Sequence, residues 1–123
     1  MAQHNDLGKW GEEIAREYLI VNGYTLVATD DRNGHFEIDI IALKNDRIIF
    51  VEVKTRSEGS SDPLDAITPK KIHRLCIAAN TYVKQYNYKH DVQFDIITVV
   101  RNGNSHKLEH YPDAFRPPLR GSF

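Results

Sequence analysis

At 123 residues the chain has the size of one domain, within the commonest range of roughly 100–150 residues, and can bury a core without disulfides or a structural metal. Its 41% hydrophobic and 27% charged content excludes a disordered or fibrous chain, and its formal charge of −1 excludes a strongly basic nucleic-acid binder while leaving room for one positive face. The single cysteine, Cys76, excludes an intrachain disulfide; with no signal-like or membrane-spanning apolar run, a cytoplasmic location and no membrane partner are expected.

Leu7, Trp10, Ile14, Tyr18 and Val21 recur at steps of three and four, with Gly11, Ala15 and Leu19 beside them. This spacing predicts an amphipathic helix with Asp6 as N-cap, ended by Asn22-Gly23 in a left-handed cap. Tyr24 to Thr29 reads as a short strand and Asp30 to Gly34 as a polar turn. His35 to Leu43 forms the second strand, Lys44-Asn45-Asp46-Arg47 a turn, and Ile48 to Lys54 the third strand. Ser57 to Pro63 is a loop of small residues. Thr68 caps a second helix with Pro69 at its first position, and its buried stripe is Ile72, Leu75, Cys76, Ala79, Tyr82, Val83 and Tyr86. Val92 to Arg101 is the fourth strand, Asn102-Gly103-Asn104 a turn, and Lys107 to Tyr111 a short edge strand. After Pro112 the chain reads as irregular. The order α-β-β-β-α-β-β predicts an α/β fold, a mixed sheet flanked by two helices. It forms a single domain over 7–115 with an irregular tail over 116–123.

The hairpin carries the chemistry. Centred on Asn45-Asp46, it places Asp39 opposite Glu52 and Glu37 opposite Lys54, with all four on one face. Directly opposed Cβ atoms lie roughly 4.5–5.5 Å apart, where like charges destabilise a sheet. A divalent cation compensates such a pair most directly, and oxygen ligands select Mg²⁺, Mn²⁺ or Ca²⁺. Lys54 shares the face and reaches the same centre, where an ammonium orients water or neutralises phosphate charge. A second reading stays open, a structural ladder in which Glu37 pairs with Lys54 and one acid is solvated.

Asp39, twelve residues, then Glu52-Val53-Lys54 resembles the D-x(n)-(D/E)-x-K signature of the PD-(D/E)xK nuclease superfamily. More closely, the chain resembles the YraN-like family of small bacterial proteins. The matching pieces are Gly8-Lys9-Trp10-Gly11-Glu12 with Ala15, Glu37-Ile38-Asp39-Ile40-Ile41-Ala42, and Phe50-Val51-Glu52-Val53-Lys54-Thr55-Arg56. Thr68-x-Lys70 with Ala78-Ala79, and Phe94-Asp95, also match. The likeness spans residues ~7–115. Many relatives carry Gly directly before the Glu-Ile-Asp triplet, where this chain has Phe36, a departure that bears on the local turn.

The resemblance implies a restriction-endonuclease-like fold and hydrolysis of phosphodiester bonds. In that scheme Asp39, Glu52, the Val53 carbonyl and Glu12 hold Mg²⁺ or Mn²⁺, and Lys54 completes the catalytic set with Asp39 and Glu52. Related Holliday-junction resolvases imply a homodimer. For Glu12 the residues alone also allow an exposed glutamate favoured by the helix dipole.

Arg56, Lys70, Lys71 and Arg74 follow the motif. Cations in the first turns of a helix oppose its dipole, so they are expected to bind nucleic-acid phosphates, with a solvated face as the bland alternative. Trp10, Tyr82 and Tyr86 are expected in the core. His106 and His110 lie too far apart along a strand to share a metal. Two functions compete: a metal-dependent nuclease acting on DNA, branched or damaged, and a non-catalytic nucleic-acid-binding or partner-binding protein on a nuclease fold.

Overall fold

The computed structural model describes residues 2–33 and 36–116. The elements are α1 (Ala2–Val21), β1 (Thr25–Asn33), β2 (Phe36–Lys44), β3 (Arg47–Ser57), a 3₁₀ turn (Pro63–Ala66), α2 (Pro69–Gln85), β4 (Asp91–Asn102) and β5 (Ser105–Phe115). The strands form one sheet in the order β1-β2-β3-β4-β5. β3 and β4 are parallel and every other pair is antiparallel. A parallel pair needs a crossover, and α2 supplies it. The architecture is the expected α/β sheet flanked by two helices.

Each helix seals one face. Ala15 and Leu19 of α1 pack on Ile40, Ile49, Val51, Val53, Ile97 and Val99. Cys76, Ala78, Ala79 and Tyr82 of α2 pack on Ile38, Ile41, Ile48, Phe50 and Phe94. The alternation along β3 is therefore complete: even positions face α2 and odd ones face α1. Two of the expected caps form, at the start of α2 and the end of α1. The Thr68 hydroxyl accepts the Lys71 N–H at 3.2 Å. Gly23 takes φ 90° while the Tyr24 N–H donates to the Leu19 carbonyl at 3.0 Å.

Several expectations are corrected. α1 begins at Ala2, so Asp6 lies inside the helix and does not cap it; no Gly or Pro upstream interrupts the helix. Its contact face is centred on Gly11, Ala15 and Leu19, with Trp10, Ile14 and Tyr18 at the margin and Val21 84% exposed. Gly11 causes this rotation, because it lies directly on Thr55 of β3 with no room for a Cβ. Tyr86 is 54% exposed at the C-cap of α2, its ring centroid 4.6 Å from that of Tyr82. β1 continues through the expected polar turn to Asn33, and β3 extends to Ser57. Ladder pairing, not local hydrophobicity, sets those ends. Gly34, His35 (the expected start of the second strand) and, from residue 117, the expected tail lie outside the described residues.

β5 also runs past Pro112 to Phe115. The register moves from Ile96↔Tyr111 to Phe94↔Phe115, and the extra residues wrap around Asp95. That carboxylate is fully buried and accepts hydrogen bonds from Gln93 Nε2 at 2.9 Å and the Asp113 N–H at 3.0 Å. His110 Nε2 lies 2.7 Å from its other oxygen, and His110 Nδ1 lies 2.9 Å from the Tyr18 hydroxyl. A buried polar group so satisfied ties β4, β5 and α1 together.

Candidate metal and nucleic-acid site

The hairpin has the register that Asn45-Asp46 predicts, from Lys44↔Arg47 to Ile40↔Val51. There the β2–β3 ladder stops. The next partner of β3 is a side chain: Asp39 Oδ2 accepts the Val53 N–H at 2.8 Å. β2 also rolls over at this point. Regular alternation would put Ile38 and Ile40 on one face, yet Ile38 packs beneath α2 and Ile40 beneath α1.

On the other side, β1 pairs Thr29 with Ile40 and Asp31 with Ile38. Asp30 thus faces Asp39 at an interruption of that ladder. Its backbone is left-handed, φ 51°, a conformation that Asp tolerates better than most residues. Glu12 reaches the same point from α1. One carboxylate oxygen from each of Glu12, Asp30 and Asp39 lies within 4.8 Å of the other two.

Crowding and burial shape the charges. Asp39 is pushed up to about 8, first by burial and then by the Glu52 carboxylate, against the opposing Val53 N–H. Glu12 is pushed up to about 7, by burial and then by Asp30. Glu52, 4% exposed, is held differently: one of its oxygens lies 2.9 Å from the Lys71 ammonium and 3.3 Å from that of Lys54. Burial pulls the Lys54 pKa down, with Lys71 adding to it, more than Glu52 lifts it. Lys71 moves up: burial works against its charge, but Glu52 outweighs that. The centre therefore has an oxygen-rich half at Glu12, Asp30 and Asp39, and a lysine-neutralised half at Glu52. The first half fits a hard divalent cation, because its donors are all carboxylate oxygens.

The sequence-derived residues divide as follows. Asp39, Glu52, Lys54, Val53 and Glu12 converge on this centre. Glu37 does not face Lys54; it pairs at 3.6 Å with Arg32 on β1, because β2 has turned away from β3 before reaching it. Lys71 belongs to the centre itself, while Lys70 and Arg74 are exposed on α2. Arg56 donates to the Thr55 carbonyl at 2.8 Å and lines a neighbouring cleft of about 880 Å³. Glu12 and Lys54 line that cleft too, so it opens directly onto the centre. Sequence reasoning missed Asp30, whose polar surroundings read as a turn, and Arg101, which reaches the cleft from the end of β4. The signal for Asp30 was its acidity beside a strand end; nothing local marked Arg101.

No helix among the described residues is long and apolar enough to cross a membrane. Fold and site together define a mixed α/β domain with a carboxylate–lysine centre, half-buried around the buried Glu52, where its middle strands part. The family model described as Uncharacterised protein family UPF0102 matches residues 11–99, and the chain belongs to that family, the YraN-like group its motifs resemble. It is 49% identical over 120 residues to a UPF0102 protein of Bacteroides fragilis, covering 97% of this chain and 99% of the relative. It is 45% identical over 121 residues to a UPF0102 protein of Parabacteroides distasonis, covering 98% and 100%. Against a UPF0102 protein of Christiangramia forsetii it is 43% identical over 116 residues, covering 94% and 98%.

Proposed function

We propose that the protein is a Mg²⁺- or Mn²⁺-dependent nuclease of restriction-endonuclease-like type that hydrolyses phosphodiester bonds of DNA, with Asp39, Glu52 and Lys54 as catalytic residues. The observation that carries this reading is the meeting of Glu12, Asp30 and Asp39 oxygens within 4.8 Å of one another, beside a buried glutamate that holds two lysines. Three acids from three elements brought together, with the pKa values of Glu12 and Asp39 raised, are poorly explained by stability. Asp39, Glu12, Asp30, Glu52 and the Val53 carbonyl are the residues that would hold the cation. When bound, it supplies Lewis acidity toward water and phosphate oxygens.

The chain's own groups divide the remaining work. The Val53 N–H fixes the orientation of the Asp39 carboxylate. Lys54, with its proton held less firmly than in free lysine, orients the attacking water or takes up charge on the phosphate. Lys71 anchors Glu52 from α2. Exposed Lys70 and Arg74 offer backbone contacts that position DNA without reading its sequence.

One observation favours a second reading, a protein that binds nucleic acid without cutting it: the Glu52 oxygen is already neutralised by two ammonium groups. Cleavage assays on linear, single-stranded and four-way-junction DNA with Mn²⁺ separate the two. A nuclease loses at least about 100-fold in rate with Asp39→Ala and with Glu52→Ala. Wild-type protein that binds these DNAs and leaves them intact supports the binding-only reading.

A further inference from the structure

The cleft beside the centre sorts its charges by element. Its acids, Asp6 and Glu12, come from α1, and its bases, Lys54, Arg56 and Arg101, come from β3 and β4. Among the described residues neither Arg56 nor Arg101 forms an ion pair. Arg101 is instead held by an aromatic face: its guanidinium carbon lies 5.0 Å from the Trp10 ring centroid. That ring is in turn met edge-on by His106 at 5.6 Å. A planar cation stacked in this way keeps its N–H groups directed outward at little entropic cost.

We infer that this cleft is the path of an unpaired nucleic-acid strand leading away from the reacting phosphate, with Arg101, stacked on Trp10, and Arg56 taking flanking phosphates. The inference rests on the nuclease reading for its direction, and on the cleft for its substrate class. Arg101 is the β4 neighbour of Ser57, three residues beyond Lys54 along β3, a distance of about 10 Å along the strand. It therefore meets a phosphate further along the chain than the one at Lys54. The volume of about 880 Å³ lies within the roughly 300–1,000 Å³ of small-ligand sites, which accommodates a short run of nucleotides. Ser57 and Ser60 add hydroxyls of the kind that bind phosphate oxygens. The exposed guanidinium plane offers an unpaired base a surface on which to stack.

The test is fluorescence anisotropy with a short labelled oligothymidylate and a blunt duplex, both in Ca²⁺. The wild type binds the single strand more tightly than the duplex. Arg101→Glu weakens strand binding at least about tenfold, and Arg101→Ala lowers the salt slope by about one. Arg101→Lys restores the slope without restoring full affinity. Lys89→Ala, near Asp46 and Asp91 at the opposite end of β3 and β4, leaves binding unchanged. Circular dichroism of each variant establishes that it is folded. Equal affinity for strand and duplex, no strand binding by the wild type, or a folded Arg101→Glu protein within about twofold of wild type overturns the inference. The nuclease reading fails separately: strand binding that depends on Arg101, with no DNA cut under any metal, leaves the cleft standing and removes the enzyme.

Discussion

The Lys71 ammonium lies 2.9 Å from the carboxylate of Glu52, joining the first turn of α2 to the strand that carries the centre. Lys71 is half exposed while Glu52 is buried, so the pair does not behave as two surface charges. Removing Lys71 leaves Lys54 as the remaining ammonium on Glu52. Lys71→Met, which keeps the aliphatic stem, is expected to lower stability by about 1–2 kcal/mol in urea unfolding. An unchanged midpoint would show that Lys54 alone satisfies the glutamate.

Asp39 and Glu12 make stability depend on pH. The Asp39 pKa rises from 3.8 to about 8 on folding, and that of Glu12 from 4.5 to about 7. Below the unfolded values both states are protonated and neither group costs anything. As pH rises from about 4 towards 8, the unfolded chain releases these protons before the folded one does, so the stability contributed by the two groups falls. Without metal, the melting temperature should therefore drop between pH 5.5 and pH 8, and Asp39→Asn should flatten the drop and raise stability at pH 8 by about 1–2 kcal/mol. Mn²⁺ at pH 8 should produce a similar recovery in the wild type only. A wild-type melting temperature that rises across this range would contradict the assignment.

Gly11 tests how closely α1 must approach the sheet. A Cβ there would overlap the Thr55 side chain. Gly11→Ala gains roughly 1 kcal/mol of helix preference but forces the helix off β3, which costs about 1–3 kcal/mol. Net destabilisation is expected, with recovery in the Gly11→Ala, Thr55→Ala double variant. Because Glu12 is the next residue, the single variant should also weaken Mn²⁺ binding.

Asp95 and His110 provide a check remote from the centre. His110→Leu leaves a fully buried carboxylate short of one partner and should cost about 2–3 kcal/mol. Tyr18→Phe removes only the outer hydrogen bond and should cost about 1 kcal/mol. Hydrogen exchange should show the Asp113 amide losing protection first in His110→Leu, since that N–H is bound to the same carboxylate. Equal costs for the two variants would mean that the chain of contacts does not end on Asp95 as described.

Where the sequence was a sufficient guide, local chemistry decided the structure. Asn45-Asp46 sets the hairpin register, Thr68-Pro69 starts α2, and period-two alternation along β3 puts Glu52 and Lys54 on the α2 face. Where it fell short, tertiary pairing decided. The roll of β2 at Asp39 depends on β1 and α1 as well as on β3, so a two-strand hairpin cannot show that Asp39 faces Asp30 instead of meeting Glu52 in the ladder. Lys71 read as part of a basic rim because the sequence does not reveal the angle at which α2 crosses the sheet. Arg101 lies far from the motif in the chain, and only the parallel β3–β4 register brings it beside Ser57.

The most direct test is a calorimetric titration of metal-free protein with Mn²⁺ at neutral pH, wild type against Asp39→Asn. The carboxylates of Glu12, Asp30 and Asp39 predict saturable binding in the wild type, with proton uptake by the buffer, and a loss of at least about tenfold in affinity in the variant. Equal binding by both proteins, or none by either, would contradict a cation centre on Asp39.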